Sequence, residues 1–204
     1  MDCGLGNPAS VQNMLRRAGH ESRISREPAE AAAAERFILP GVGAFDAGME
    51  RLARTGWDRV LTHEVMQNGK PFLGICLGAQ LVTRRSEEGS RPGLGWMDAE
   101  TVAFDRTRLG PGLKVPHMGW ARVRVTQEIP LVRNLPPQSR FYFVHSFCLA
   151  PRSQEEAFLW AWHGYPFVAG IVRGHVAGVQ FHPEKSHRFG LQLLDNFVTL
   201  SPAG

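Results

Sequence analysis

Two short stretches of this sequence carry residue types that do chemistry. The first is Gly74-Ile75-Cys76-Leu77-Gly78, a G-x-C-x-G pentapeptide between an apolar run at 71–75 and a helix-prone one reaching about residue 84. A sharp strand-to-helix turn of this form lifts a nucleophile above the end of a sheet, and small flanking residues permit the close backbone approach. A helix N-terminus and a neighbouring imidazolium both favour thiolate over thiol, and the Leu77 N–H is placed to stabilise an oxyanion. The second stretch is His182-Pro183-Glu184, at the end of the apolar run 176–181. Proline stiffens the turn so that side chains two apart face one way, and a carboxylate beside an imidazole fixes its tautomer and stabilises its protonated form. Each stretch also has a plainer reading, a buried structural cysteine and a histidine at a surface turn. A zinc site assembled from Cys76, His182 and His187 lacks any CxxC or HExxH spacing. No metal and no cofactor is expected.

The elements around these residues alternate. Residues 9–18 place Val11, Met14, Leu15 and Ala18 at helical spacing, with Gly19 as a stop. A short polar strand is predicted at 20–24 and a helical stretch at 29–34. Phe37-Ile38-Leu39 reads as a buried strand ending in the glycine loop Pro40-Gly41-Val42-Gly43, followed by helices at 45–54 and 57–66. Apolar strands alternating with helices across short glycine loops indicate a parallel α/β sheet. The second half is strand-rich, with runs at 100–104, 122–125, 140–144, 157–162, 167–173 and 176–181, and an amphipathic helix at 189–197 closes the chain. The predicted fold is α/β, three-layered, with a mostly parallel central sheet extended by antiparallel strands. Without linker, repeat or low-complexity tract, it reads as one domain over 1–204.

Composition narrows the function classes. Hydrophobic residues make up 43% and charged residues 21% of 204, ordinary for a globular domain with its own core. A net charge of +4 comes from scattered arginines without a basic stripe or reader motif, so nucleic acid is not an expected partner. No run approaches the length of a membrane span, and the first residues lack the regions of a signal peptide. Three widely spaced cysteines, Cys3, Cys76 and Cys148, fit a reduced, cytoplasmic setting rather than a disulfide framework.

The elbow followed by His-Pro-Glu resembles the class I glutamine amidotransferases, whose triad is Cys-His-Glu in this chain order. Five ordered segments sharpen the resemblance toward the glutaminase subunits of imidazole glycerol phosphate synthases: Pro40-Gly41-Val42-Gly43-Ala44-Phe45, the run 74–80, Lys114-Val115-Pro116-His117-Met118-Gly119-Trp120, Tyr142-Phe143-Val144-His145-Ser146, and Gln180-Phe181-His182-Pro183-Glu184-Lys185-Ser186. The resemblance implies a flavodoxin-like amidotransferase fold and glutamine as substrate. Cys76 would form a glutamyl thioester, His182 would move protons and Glu184 would orient it. The oxyanion would rest on Leu77 and on the Val42-Gly43 loop, which in this family is thought to need reorientation before it donates. Gln80, Glu88 of the Glu87-Glu88 pair, His145 and Ser146 are candidates for the substrate's amino-acid end. Lys114, His117, Met118 and Trp120 are candidates for docking an ammonia-accepting synthase subunit, in a heterodimer with an ammonia channel.

Three departures accompany the resemblance. The family's opening apolar strand is reduced to Met1 ahead of Asp2-Cys3-Gly4, so the first strand reads as truncated. Ala121 stands where asparagine is common. Residues 85–96 and 185–190 look more like paralogues that feed ammonia to a sugar amidotransferase of surface-polysaccharide pathways. The histidine-pathway subunit, that paralogue and a non-catalytic relative therefore remain as alternatives.

Overall fold

The computed structural model describes residues 1–200, so the expected domain span extends four residues beyond them. The first helix, α1 (Pro8–Arg17), starts where the Asn7 side chain accepts the Ser10 N–H and Pro8 presets the first turn, and Gly19 at φ 86° lets the chain turn away after it. Val11, Met14 and Leu15 form its buried stripe. The alanine-rich stretch is a 3-10 turn (Pro28–Ala33). Strand β1 (Phe37–Gly41) leads to α2 (Phe45–Thr55) and α3 (Trp57–Leu61), which continues as a π-helical turn over Thr62–Gln67. Strand β2 (Phe72–Cys76) runs directly into the short α4 (Leu77–Leu81). Then follow β3 (Ala99–Ala103), β4 (His117–Val125), β5 (Arg140–His145), β6 (Phe147–Pro151), β7 (Ala157–His163), β8 (Tyr165–Arg173), β9 (Val176–Val179) and the closing α5 (His187–Thr199).

The sheet has nine strands, with the main path β1-β2-β9-β8-β7-β4-β5 and a side branch in which β6 pairs with β8 and β3. Among the strand pairings of the described residues, β1 with β2 and β2 with β9 are parallel and the other six are antiparallel. The parallel part is thus a three-strand block, smaller than the sequence pattern suggested, because the strands after residue 99 follow one another through short connections that favour antiparallel return. Helices cover both faces. Val11, Leu15, Leu193, Leu194 and Phe197 pack with Leu73 and Ile75 on one side, while Phe45, Leu52, Trp57 and Leu61 pack with Phe37 and Phe72 on the other. Phe72 and Leu73 therefore point to opposite cores, as strand alternation requires.

Two expectations are corrected, and one strand was not foreseen. Residues 20–24 form no strand; what backbone pairing that region makes includes a single bond from the Asp2 N–H to the Ser25 carbonyl at 2.8 Å. The helix after Cys76 stops at Leu81 instead of running to about residue 84, because the carbonyls of Leu81, Val82, Thr83 and Arg84 accept the amides of Leu94, Met97, Gly95 and Gly93 from the returning loop. Strand β6 went unread because Cys148 and the terminal Pro151 weaken its alternation, yet it pairs with β3 over five residues.

Candidate active site

Cys76 ends β2 with φ 53° and ψ −110°, a left-handed backbone that non-glycine residues rarely adopt. The turn is held by close packing on both sides. A Cβ on Gly74 would meet the Gly78 carbonyl oxygen at 2.5 Å, and one on Gly78 would meet the Leu39 carbonyl oxygen at 1.9 Å. The G-x-C-x-G spacing is therefore a steric requirement of the strand-to-helix crossing.

His182 follows β9 from the neighbouring parallel position. Its N–H donates to the Tyr142 carbonyl at 2.9 Å, and the Ser186 hydroxyl donates to its carbonyl at 2.6 Å, which fixes the backbone at the turn. The His182 Nδ1 lies 2.8 Å from Glu184 Oε1, and both side chains are buried. With the carboxylate accepting at Nδ1, the other ring nitrogen is left for chemistry; Nε2 is buried and has no hydrogen-bond partner among the described residues. Burial by itself would lower the imidazole's pKa, but pairing with Cys76 and then with Glu184 outweighs it and holds His182 at about 9. The pairing with Cys76 is a close approach rather than a formed hydrogen bond, since Nε2 meets no acceptor with hydrogen-bond geometry.

Cys76 is 7% exposed, so little of it reaches solvent. Its thiol faces the Val144 carbonyl at 3.9 Å. Gln180, fully buried, donates its Nε2–H toward the sulfur at 3.7 Å and accepts from Gln80 Nε2 at 3.1 Å. The sequence offered a signal for Gln180, since it stands two positions before His182 in the extended stretch that continues β9. Gln80, expected at the substrate, is turned inward onto Gln180 and the Phe147 carbonyl.

The other sequence-nominated residues divide by their surroundings. Leu77 opens α4 beside Cys76, so its N–H is directed toward the nucleophile end of the elbow. The Val42 N–H is committed to the Leu5 carbonyl, and Gly43 follows at φ 107° with open space at its Cβ position. Glu88 accepts the Phe45 N–H at 2.8 Å and caps α2, and Glu87 accepts the Ala103 N–H at 2.7 Å. His145 is buried, bonded through Nδ1 to the Phe147 carbonyl and through Nε2 to His117 Nδ1 at 3.1 Å. Ser146 stands at the turn between β5 and β6, its carbonyl accepting the Phe104 N–H.

On β4 the nominated docking residues separate by strand alternation. Met118 and Trp120 are 63% and 43% exposed, whereas His117 points inward and stacks on His163 with ring centroids 4.2 Å apart. Lys114 is exposed just ahead of the strand, its carbonyl taking the His163 Nε2–H. Trp120 stacks on His187 at 5.4 Å with an interplanar angle of 3°, and Arg140 lies over the same indole. Of the four, Lys114, Met118 and Trp120 lie on the surface and His117 belongs to a buried histidine cluster. Among the described residues no group of three or more His, Cys, Asp or Glu is arranged to hold a metal ion, and no helix is long and apolar enough to cross a membrane.

Comparison with known proteins gives consistent matches over this whole region. The family model for "Glutamine amidotransferase class-I" matches residues 1–200. The imidazole glycerol phosphate synthase subunit HisH 2 of Pseudomonas aeruginosa is 49% identical over 200 residues, covering 98% of each chain. The subunit HisH of Wolinella succinogenes is 44% identical over 197 residues, covering 96% of each. A crystal structure of a glutamine amidotransferase superposes with a TM-score of 0.69 at 19% identity, covering 93% of this chain and 95% of that one, which is a likeness of fold.

Proposed function

The chain belongs to the class-I glutamine amidotransferase family, and on that footing we propose that it is the glutaminase subunit of an imidazole glycerol phosphate synthase, acting in histidine biosynthesis. It is a single domain that hydrolyses glutamine to glutamate and ammonia and hands the ammonia to a cyclase subunit. The observation that carries this reading is the constellation of Cys76 in a left-handed elbow beside a His182 imidazole whose Nδ1 is held by Glu184. The names of the two relatives support the choice of acceptor.

The geometry gives each group a task. The Cys76 thiolate attacks the carboxamide carbon of glutamine, and the negative charge that develops on oxygen falls to the Leu77 N–H and a reoriented Val42-Gly43 peptide. His182, positively charged at neutral pH, passes its Nε2 proton to the leaving nitrogen, so the C–N bond breaks and neutral ammonia departs. A glutamyl thioester remains on Cys76. The now neutral His182 takes a proton from water, the hydroxide adds to the thioester carbon, and collapse returns the thiolate and releases glutamate. Glu184 keeps the imidazole in the tautomer that presents Nε2 throughout. As contacts for the substrate's amino-acid end, alongside Ser146, Gln80 and His145 would have to leave their buried partners, and Glu88 would reach a substrate ammonium only by releasing the Phe45 amide.

The Val42 amide's bond to Leu5 gives a reason for low activity in isolation, since one oxyanion donor is turned away. Docking of the synthase subunit on Lys114, Met118 and Trp120 would supply the reorientation and form a heterodimer with a protected path for ammonia. The test is glutamate release from glutamine, alone and with a cyclase subunit bound to its acceptor substrate. Low activity alone, strong stimulation by the cyclase and loss in Cys76→Ala are expected. A Cys76→Ala variant that stayed active would sink the proposal, and stimulation by a sugar amidotransferase instead of the cyclase would transfer it to the polysaccharide pathways.

A further inference from the structure

The loop between α4 and β3 carries Glu88 near its tip. Its base closes on itself, with Arg85 bridging Pro92 and the Gly93 N–H donating to the Arg84 carbonyl. On the side toward β3, Ser86 bridges Thr101 and the Glu87 N–H donates to the Thr101 carbonyl at 2.9 Å. The Ser86 hydroxyl accepts the Glu88 N–H at 3.1 Å, so the backbone entering Glu88 is fixed.

On its other side the tip lies against the first turn of α2. Ala44, the residue before that helix, supplies no side-chain cap, and Glu88 takes the Phe45 N–H in its stead. The exchange is reciprocal. Asp46 accepts the Ser90 N–H at 3.0 Å, the Arg91 N–H at 3.0 Å and the Ser90 hydroxyl at 3.3 Å. The Ser90 and Arg91 amides hold its carboxyl below the usual aspartate range. The two segments are so close that a Cβ on Gly89 would meet Asp46 Oδ1 at 2.1 Å, which accounts for a glycine beside Glu88. An acid in a first turn favours a helix by itself, but here its oxygens are taken by the loop. This turn of α2 stands near the chemistry: Gly41, four residues before Phe45, pairs with Cys76, and a Cβ on Gly48 would meet Leu77 and Leu81 of α4.

Glu88 therefore has two competing partners. It caps Phe45 as the chain stands; to hold a substrate ammonium it must let go, and its own tie to α2 is lost. The bonds to Asp46 do not depend on where the Glu88 carboxylate points, so they keep the tip docked while that carboxylate changes partner. We propose, on the footing of the glutaminase reading, that Asp46 is a positioning residue: it fixes residues 88–91 to α2 so that Glu88, once released from Phe45, meets the α-ammonium of glutamine. Substrate affinity then depends on Asp46 although Asp46 touches no substrate.

The experiment is a double-mutant cycle on glutamate release in the complex with the stimulating synthase subunit. Asp46→Ala should raise KM for glutamine at least about fivefold and leave kcat within about twofold, as lost substrate binding does without a loss in the chemical step. Gly89→Ala, which displaces the Asp46 carboxylate without removing it, should do the same. Asp46→Asn, which keeps one acceptor oxygen, should recover most of the affinity. In a Glu88→Ala chain, adding Asp46→Ala should raise KM no further. Hydrogen exchange of the Phe45 amide in the free protein should be at least about fivefold faster in Asp46→Ala than in the unaltered chain. Unchanged KM or unchanged exchange in Asp46→Ala would overturn the proposal. An equal KM increase with and without Glu88 would also overturn it, leaving Asp46 a structural residue only. A Glu88→Ala chain with an ordinary KM would take the substrate contact from Glu88 and the proposal with it. No glutamate release from the unaltered complex would instead overturn the glutaminase reading itself.

Discussion

Gln80 and Gln180, one hundred residues apart in the chain, meet through a 3.1 Å hydrogen bond that leaves the Gln180 Nε2–H aimed at the Cys76 sulfur 3.7 Å away. Because Gln80 occupies the Gln180 oxygen, the carboxamide cannot turn over and present an acceptor to the sulfur. A fixed donor beside a thiolate stabilises the anion more than the thiol, and hydrogen bonds to charged groups contribute roughly 1.5–3 kcal/mol.

Replacing Gln180 by Leu removes that donor and puts an apolar side chain of similar size in its place. Alkylation of Cys76 by iodoacetamide at neutral pH is expected to slow by about tenfold or more. Mass spectrometry of the modified peptide against time measures it, and an unchanged rate would mean the carboxamide only fills space.

Glu184→Gln keeps the shape of the orienting group and removes its charge. With the tautomer no longer dictated and the imidazolium no longer paired, kcat for glutamate release should fall by about 10²–10⁴ with KM little changed. A KM increase with kcat intact would assign Glu184 to substrate binding instead.

Stability should fall on both sides of neutrality. Burial holds His145 down at about 3 and His117 at about 4, against 6.5 for an ordinary histidine. Between those values the unfolded chain binds protons that the folded chain does not, so stability is lost as pH falls below 6.5, by up to about 1.4 kcal/mol per unit for each group. His182 works oppositely: raised to about 9, its pairing contributes fully below 6.5 and is lost as pH rises through 9. A Tm profile from pH 5 to 10 should therefore be dome-shaped, and Cys76→Ala should flatten its alkaline side. A Tm constant from pH 7 to 5 would contradict the buried histidine cluster.

Gly78→Ala places a Cβ 1.9 Å from the Leu39 carbonyl oxygen, a backbone atom that cannot swing aside. The elbow must open or the protein must unfold, at a cost of roughly 1–3 kcal/mol or more. Thermal melting should show a drop of several degrees together with lost thiol reactivity, whereas Gly69→Ala, where nothing lies within 4 Å but φ is 69°, should cost less and spare Cys76.

Met118→Asp puts a charge on the exposed apolar face of β4 without entering the core. If the synthase subunit docks there, its affinity should drop by at least about tenfold, since an unpaired charge is desolvated at the interface. Titration calorimetry with the cyclase measures this, and undiminished binding would move the docking face elsewhere.

The elements around the chemistry were legible because their signals are local. Val11, Met14 and Leu15 at helical spacing, the apolar run into Cys76 and the glycines flanking it are properties of a few consecutive residues, and α1, β2 and the elbow formed where they pointed. The pair His182 and Glu184 was equally readable, since a two-residue offset across proline leaves little freedom. Strand β6 and the extent of antiparallel pairing were not, because pairing partners such as Thr101 with Leu149 are chosen by the whole sheet.

The sequence by itself determined which side chains could act and the two turns that present them, since backbone sterics at Gly74, Gly78 and Pro183 allow few alternatives. Tertiary structure decided which of the nominated groups are free to act. It turned Gln80 onto Gln180, spent Glu88 on the end of α2, drew His117 and His145 into a buried cluster and left Met118 and Trp120 outside. Those outcomes depend on which polar groups find partners when distant segments pack, and no spacing along the chain encodes that competition.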